Sequence, residues 1–279
     1  MKSQKTLNNL NLPNESIPIN PNMLEIRNIH FYECTIIYLY DAQLILKASN
    51  GQKVIIFPKS ICYIEKNTTV DIVLNHRAKE PFYSIYSINH HILNYVYEVM
   101  SPLFVNQSSI KVSGSNFFSF SADDVDRKIF NRLVDDYTPL CRKVYKLTYL
   151  LSKCSDIESV VYSLSNAKNT TFAEKIRGII ITDLSRAWHL NDFAKMLYMS
   201  EVSIRKKLEK EKTKSKRLIL DIKMNYAIKM ILTTEKHINT ISKDVGYAST
   251  SYFIRKFKHH FGITPKQLSI KFKKNYGRT

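Results

Sequence analysis

The amino-acid sequence predicts an α+β protein, with a strand-rich N-terminal part followed by an all-helical C-terminal part. Between Asn28 and Ile88 the apolar residues form short runs of β-branched and aromatic side chains, a pattern typical of strands. From residue 170 onward they recur every three or four positions, which predicts amphipathic helices. The length of 279 residues is that of one large domain or two ordinary ones.

Strands are predicted for five apolar runs, at 36–40, 44–46, 54–57, 61–64 and 70–74. Asn50-Gly51 separates the second run from the third. This pair predicts a hairpin with a type I′ turn, because that turn needs two positive φ angles. Several short strands at this spacing indicate a small sandwich or barrel.

Helical patterns follow the strands. Helices are predicted over 90–100, from Asp123 or Asp124 through Leu133, and onward from Leu140. These helices either pack on the barrel or form a dimer face, and the sequence leaves both arrangements open.

The C-terminal part is helical by pattern throughout. Helices are predicted through Phe172 and Leu184, between Trp188 and Tyr198, over 200–208 and 218–232, and on both sides of Gly246. The long helix over 218–232 is expected to bury one stripe, made of Ile219, Ile222, Tyr226 and Met230.

Composition and pattern divide the chain into four parts. They are a tail at 1–22 that is rich in Asn, Pro and Ser and is expected to be disordered, a strand-rich domain at 23–122, a helical linker and candidate dimerisation region at 123–170, and a helical domain at 171–279.

Positive charge is concentrated in the C-terminal part. The whole chain carries a formal net charge of +18, and residues 170–279 hold 24 Lys and Arg against nine Asp and Glu. The preceding residues hold 18 against 15. This asymmetry indicates a polyanionic partner for the C-terminal part, the alternative being a basic surface that only meets solvent.

Several classes of protein and site are not supported. The four cysteines, none in a Cys-x-x-Cys pair, favour buried thiols in a reducing compartment over zinc ligation or disulfides. The N-terminus does not resemble a signal peptide, and no run reaches the ~20 apolar residues of a membrane span. We therefore expect a cytoplasmic protein without a membrane partner. No catalytic constellation or glycine-rich phosphate loop is present, and neighbouring histidines such as His259-His260 are poorly placed to share a metal.

Two segments, about 190–210 and 238–260, share one pattern. Each has a short apolar helix, a turn, a serine suited to capping the next helix, and then Arg-Lys. This is the order of a helix-turn-helix whose second helix reads DNA. The candidate DNA-binding residues are Ser200, Ser203, Arg205, Lys206, Lys207, Ser249, Thr250, Ser251, Tyr252, Arg255, Lys256 and Lys258.

These candidates differ in expected role. Arg205, Lys206, Arg255 and Lys256 are expected at phosphates or guanine edges, with a solvated face as the alternative for the arginines. Ser203 and Thr250 are suited to bases, and Lys207 and Lys258 to phosphate or solvent. Leu208, Phe253 and Phe257 are expected in the core.

The second segment carries a specific pattern: Gly246-Tyr247, Ser249, Ser251-Tyr252-Phe253, Arg255, Phe257-Lys258 and Phe261-Gly262-x-Thr264-Pro265. Together with the first segment and 220–224, it makes residues 173–270 resemble the DNA-binding domain of the AraC/XylS family of bacterial transcription regulators. The chain departs from that pattern at Lys223, where arginine is usual, and at Met199 and Glu201 in the first turn.

Within this family, the stretches 172–177, 203–209 and 251–257 are similar to those of enteric virulence activators. The resemblance implies that residues 23–122 form a cupin-like sensor domain, and that 171–279 place two recognition helices in successive major grooves, ~34 Å apart. It also implies an activator of virulence genes that binds double-stranded promoter DNA, contacts RNA polymerase and pairs with a second copy of itself.

The resemblance further implies a pocket between the domains for a small effector, a fatty acid or bicarbonate. The cation positions of such a pocket correspond here to Tyr32 and Tyr86, which are uncharged. His30 lies on the same strand face as Tyr32, and Arg77 lies in a nearby loop. Hydroxyl and imidazole groups hold a carboxylate less tightly than cations do, so we expect fatty-acid inhibition to be weak or absent.

Two other functions are considered. A ligand-binding sensor could act mainly through protein–protein contact, with the helix-turn-helix units idle. A DNA-modifying enzyme would need a catalytic constellation that the sequence lacks, so the chain is expected not to be an enzyme.

Overall fold

The computed structural model describes residues 23–76, 82–104 and 114–276, and it confirms an α+β protein with strands first and helices after. The tail at 1–22 lies outside the described residues. The strands are β1 (Met23–Phe31), β2 (Thr35–Leu39), β3 (Ala42–Ala48), β4 (Lys53–Ile56), β5 (Ser60–Ile64), β6 (Thr68–His76), β7 (Tyr83–Ser87) and β8 (Phe117–Ser121). The five predicted strand runs correspond to β2 through β6.

The strands form two four-stranded antiparallel sheets that face each other. Their orders are β1-β6-β3-β4 and β7-β2-β5-β8. Leu39 and Cys62 from one sheet share a buried cluster with Leu46 and Leu74 from the other. This apolar layer makes the N-terminal part a cupin-like sandwich, as expected.

The hairpin between β3 and β4 is present, but the predicted type I′ turn is wrong. Gly51 has a φ of 86°, whereas Asn50 is not among the residues with positive φ. Ala48 N–H donates to Gln52 C=O at 2.8 Å, and Gly51 N–H donates to Ala48 C=O at 3.0 Å. The loop therefore spans three residues rather than two, and such a loop needs a left-handed residue only at its last position.

Four helices cover the outer face of the second sheet. They are α1 (His90–Met100), α2 (Asp124–Val134), α3 (Leu140–Ser152) and α4 (Ile157–Lys168), with a 3-10 turn at Ser101–Phe104 after α1. Val96, Phe130, Leu147 and Leu164 are buried with Tyr63 of β5 in one cluster. The helices therefore pack on the sheet, which was one of the two arrangements left open.

Helix α4 falls within the predicted helical linker at 123–170, but it was not predicted as a separate helix, because its buried face is partly polar. Ser159 and Ser163 are buried in it, and the Ser163 hydroxyl lies 2.9 Å from the hydroxyl of Tyr63. The cysteines also need one correction, because Cys141 is exposed while the other three are buried. Across the described helices, none combines the length and apolar character that crossing a bilayer requires.

The C-terminal part contains seven helices among the described residues. They are α5 (Phe172–Ile180), α6 (Leu190–Met196), α7 (Glu201–Lys210), α8 (Ser215–Thr233), α9 (Ile238–Asp244), α10 (Thr250–Phe261) and α11 (Pro265–Tyr276). Helix α10 ends before Gly262, its C-cap. Pro265 then opens α11, because proline is well suited to the first position of a helix.

Helix α8 does not bury the single stripe that was predicted. Ile222 is buried with the first helix-turn-helix unit, whereas Ala227, Ile228 and Ile231 are buried with the second unit and the sandwich. Lys223 is buried as well, with 7% of its surface exposed. The prediction failed because α8 is central and is covered from several directions.

Candidate nucleic-acid interface

The first helix-turn-helix unit is formed by α6 and α7. Tyr198 makes the turn with a φ of 51°, and its side chain is 97% exposed. Ser200 caps α7, because its Oγ accepts a hydrogen bond from the N–H of Ser203 at 3.1 Å. Val202, in the first turn after the cap, is exposed. The unit therefore presents the beginning of α7 at the surface.

The three predicted DNA-binding cations of α7 are exposed but differ in their contacts. Arg205 Nη2 lies 3.0 Å from the carboxylate of Glu201, one turn earlier. Lys207 Nζ lies 5.2 Å from the centre of the Phe172 ring on α5. Lys206 has no ion pair within the described part of the chain. The structure thus leaves Lys206 more available than Arg205 or Lys207.

The second helix-turn-helix unit is formed by α9 and α10. Gly246 turns the chain with a φ of 81°, and a Cβ at this position would overlap the carbonyl oxygen of Ser185. Ser249 caps α10 by accepting a hydrogen bond from the N–H of Tyr252 at 3.3 Å. The helix ends at Gly262, which has a φ of 77°. Glycine is favoured both in the turn before α10 and directly after α10, because other residues rarely adopt these φ angles.

The outer face of α10 combines an aromatic ring with cations. Tyr252 is 42% exposed, and its ring centre lies 5.3 Å from the Arg255 guanidinium and 5.4 Å from Lys256 Nζ. Ser251 and Lys258 are exposed on the same helix. The face of an aromatic ring attracts a cation at this distance, so the Tyr252 ring favours positions of Arg255 and Lys256 beside it.

Two candidate base-reading residues, Ser203 and Thr250, are only partly exposed. The Thr250 hydroxyl lies 3.0 Å from that of Ser242 on α9, and Ser203 is half-buried. The contact of Thr250 with Ser242 favours a role in joining α9 to α10. The predicted core residues are buried as expected: Leu208, Phe253 and Phe257.

A cavity of about 810 Å³ lies between the sandwich and helices α5, α8 and α11. Its walls are mainly apolar, with Leu39 and Ile85 contributed by strands and Ile228 and Phe272 by helices. Its volume is within the range of small-molecule sites. The fold therefore contains an inter-domain pocket.

Two polar groups at this cavity lack hydrogen bonds. The Arg177 guanidinium lies 4.2 Å from the centre of the Tyr32 ring. The Tyr32 hydroxyl and the Arg177 Nε are both buried without a partner in the described part of the protein. Burial raises the pKa of Tyr32, so its hydroxyl stays protonated. Because buried polar groups are normally paired, these two are suited to a ligand.

His30 also lines the cavity and connects the two domains. Its Nδ1 lies 2.7 Å from the Thr69 hydroxyl, and its backbone N–H donates to Asn225 of α8 at 3.0 Å. Burial, together with the nearby Arg177, lowers the pKa of His30 to about 4. The imidazole is therefore neutral at pH 7.

Of the other two candidate effector residues, Tyr86 is not brought to the cavity. Tyr86 pairs with Ile36 in the sheet and packs with the cluster beneath α1–α4, whereas its neighbour Ile85 lines the cavity. Successive residues of a strand point to opposite faces, which explains the separation. Arg77 lies outside the described residues.

Arg177 was missed from sequence as a cavity residue. The available signal was the pair Glu174 and Arg177, three positions apart on a helix whose other face carries Ile176 and Ile180. Residues at that spacing share a helix face. However, nothing in the sequence pattern indicates which surface this face of α5 contacts.

Comparisons with known proteins identify a helix-turn-helix domain in the C-terminal part. A helix-turn-helix domain model matches residues 193–269. The HTH-type transcriptional activator FapR of Escherichia coli is 32% identical over 90% of this chain and 98% of its own. The virulence regulon transcriptional activator VirF of Shigella flexneri is 31% identical over 91% of this chain and 97% of its own.

Solved structures share the fold over most of the chain. ToxT from Vibrio cholerae superposes with a TM-score of 0.67 and 19% identity, over 90% of this chain and 94% of its own. ToxT has also been solved with an unsaturated fatty acid bound, and that structure has a TM-score of 0.62 at 18% identity, over 90% of this chain and 91% of its own.

Proposed function

This chain belongs to the AraC family of helix-turn-helix transcription regulators, and on that premise we propose that it is a sequence-specific DNA-binding activator of virulence genes. The observation that carries the proposal is the pair of helix-turn-helix units, each with an exposed basic recognition helix. The likeness to activators of virulence genes extends over nine-tenths of the chain, which supports the same role for the whole protein.

Helices α7 and α10 would enter successive major grooves of promoter DNA. The capped first turns would place backbone N–H groups at phosphates, and Arg255 would reach a guanine edge. A bidentate arginine–guanine pair contributes about 1–3 kcal/mol of base discrimination. Lys206, Lys256 and Lys258 would neutralise phosphates, which makes affinity depend on salt.

The test is a gel shift with A/T-rich promoter fragments, comparing the wild type with Arg255→Ala. The substitution is expected to weaken binding at least about tenfold and to relax the preference for one sequence. Arg132→Ala is the matched control, because Arg132 is an exposed arginine on α2, away from both units. Unchanged affinity and preference in Arg255→Ala would remove α10 from DNA recognition.

Other partners follow from the activator role. As an activator the protein would work in the cytoplasm, where it would contact RNA polymerase. It would have no enzymatic activity of its own.

A second copy of the chain would pair through the outer surface of α3, where Leu140 and Tyr145 are exposed. Sedimentation of Tyr145→Glu, compared with the wild type, would test this pairing.

The inter-domain cavity is proposed to hold a small apolar acid, such as a medium-chain fatty acid. Its walls suit an alkyl chain, and Arg177 supplies the cation that Tyr32 and Tyr86 lack. Arg177 thereby revises the expectation of weak or absent inhibition. The apolar walls favour a fatty acid over bicarbonate as the effector.

Titration calorimetry with decanoic acid tests this proposal. The wild-type protein should bind the acid, and Arg177→Met should weaken the binding at least about tenfold, because a charge-assisted contact is lost. Equal binding by both proteins would exclude this role for Arg177.

A further inference from the structure

Three segments of the DNA-binding region meet at the side chain of Lys223. This lysine lies on α8, the helix between the two helix-turn-helix units, and 7% of its surface is exposed. Its Nζ donates to the backbone C=O of Arg186 at 2.9 Å. The same Nζ lies 2.7 Å from where a Cβ at Gly246 would be. Lys223 therefore touches the chain entering the first unit and the turn of the second unit together.

The chain entering the first unit is itself held in one conformation. The Asp183 carboxylate accepts hydrogen bonds from the N–H groups of Ser185 and Arg186, at 2.9 and 3.1 Å, and from the Ser185 hydroxyl. The Trp188 indole donates to Asp183 C=O at 2.8 Å, and Arg186 pairs with Asp192 of α6 at 2.7 Å. Movement of this turn would therefore move α6.

The second unit approaches the same turn closely. Gly246 lies so near the carbonyl oxygen of Ser185 that any side chain would overlap it.

The chemistry of Lys223 suits this contact. A buried ammonium group is costly unless its hydrogen bonds are satisfied, so the Lys223 ammonium needs a specific carbonyl acceptor here. A lysine is a compact point charge, which suits the narrow space between the turn and Gly246.

We propose that Lys223 is a positioning residue that fixes the orientation of the two helix-turn-helix units relative to each other, and thereby the spacing of the two DNA subsites. The inference rests on the proposed DNA binding by both α7 and α10. Lys223 itself is buried and does not touch DNA in this arrangement. Its effect is on which distance between subsites the protein accepts.

The experiment uses the full chain and duplex DNA selected from a random pool by the wild-type protein. Dissociation constants are measured on the selected sequence, on versions with one base pair added or removed between the subsites, and on versions with one subsite scrambled. One base pair changes both the distance and the helical phase of the subsites, so the wild type should prefer the selected spacing by about tenfold.

Lys223→Met keeps the length of the side chain but removes the ammonium, and Asp183→Ala loosens the facing turn at an exposed position. Both are expected to reduce the spacing preference to about twofold, while binding to the single-subsite probes stays within about twofold of wild type. Lys216→Met, at an exposed lysine on the same helix, should keep the full preference.

The proposal is overturned if both variants keep the wild-type spacing preference, if they lose affinity equally for every probe, or if the wild type itself has no preferred spacing. Thermal melting of each variant identifies a fold that has simply weakened, and Asp183→Ala keeps the test open if Lys223→Met does not fold. Failure of the wild type to select any sequence would instead contradict the proposed function.

Discussion

The two helix-turn-helix units share one plan but differ in the charge of their recognition helices. Helix α7 contains Glu201 and Glu209, and Glu201 pairs with Arg205. Helix α10 contains no acidic residue, and its Arg255 lies against the Tyr252 ring. An arginine that is already paired must give up that partner to meet a phosphate or a base. The second unit is therefore the better prepared for DNA.

The units also differ in how each is attached to the sandwich. The first is attached through α5, where the Glu174 carboxylate lies 3.0 Å from Lys66 Nζ and accepts from the Asn67 amide at 2.7 Å. The second is attached through β1, where the Asn28 amide donates to His260 C=O at 2.8 Å. One attachment uses a mostly buried ion pair and the other a neutral hydrogen bond, so the two can be broken separately.

The largest expected effect is on the free energy of unfolding, when the ion pair that attaches α5 to the sandwich is broken. The Lys66 and Glu174 side chains are each 14% exposed. Lys66→Met should lower the free energy of unfolding by about 3 kcal/mol, because it leaves Glu174 buried without its counter-charge. Asn28→Gly keeps the positive φ of that position and should cost about 1 kcal/mol, the value of one hydrogen bond.

Urea denaturation of the full chain at pH 7 measures both changes. Lys53→Met, at an exposed lysine of β4, is the control and should change stability little. If Lys66→Met cost no more than Asn28→Gly, the contrast between the two attachments would be refuted.

The next effect compares the two arginines of the recognition helices. Arg255→Ala should weaken DNA binding by about 2 kcal/mol, whereas Arg205→Ala should cost less than about 1 kcal/mol because Arg205 is paired with Glu201. Glu201→Gln should tighten binding, since it frees Arg205 and removes a charge that repels phosphate. Competition gel shifts at one fixed salt concentration measure all three variants. A greater loss for Arg205→Ala than for Arg255→Ala would reverse the comparison.

A smaller effect concerns pH at the attachment of α10. The His260 ring is largely buried, with Asp221, Arg217 and His259 around it. Burial, with added repulsion from Arg217 and His259, lowers the pKa of His260 to about 4. Because the pKa of His260 is lower in the folded protein than in the unfolded chain, its neutral ring stabilises the fold at pH values above the unfolded pKa of 6.5. This stability is lost as the pH falls toward 4.

Between pH 7 and pH 5 the full chain should therefore lose about 1 kcal/mol through His260, a value reduced for partial access of water. Denaturant titrations at the two pH values measure this loss. In His260→Gln the difference between the two pH values should shrink by that amount, while His91→Gln, at an exposed position on α1, serves as the control. An unchanged pH dependence in His260→Gln would show that His260 is not the group that titrates.

Sequence patterns were sufficient where local periodicity and capping decide the structure. The strands β2 to β6 and the helices around Ser200 and Ser249 were predicted because their apolar spacing and N-caps act over a few residues. The resemblance to a known family supplied the cupin-like sandwich and the expectation of an inter-domain pocket.

Patterns failed where distant segments meet. The contact between His30 and Asn225 joins residues 195 positions apart, and no local signal indicates it. Arg177 at the cavity, Lys223 beneath the two units and the polar buried face of α4 are set by the same kind of packing. Tyr86 was misplaced for a simpler reason, because the strand register that decides its face is fixed by its pairing with Ile36.

The smallest expected effect distinguishes the turns of the two units. The second turn has Gly246 at positive φ, where glycine is unstrained, whereas the first has Tyr198 at a φ of 51° with its side chain 97% exposed. Tyr198→Gly relieves a backbone strain of about 1–2 kcal/mol. It also costs about 0.5–1 kcal/mol, because glycine loses more backbone entropy on folding than other residues do. We therefore expect a gain in stability of about 0.5–1 kcal/mol. Tyr198→Ala keeps the strain and should give no gain. Urea denaturation of both variants measures the difference, and equal stabilities would mean that the first turn carries no strain at Tyr198.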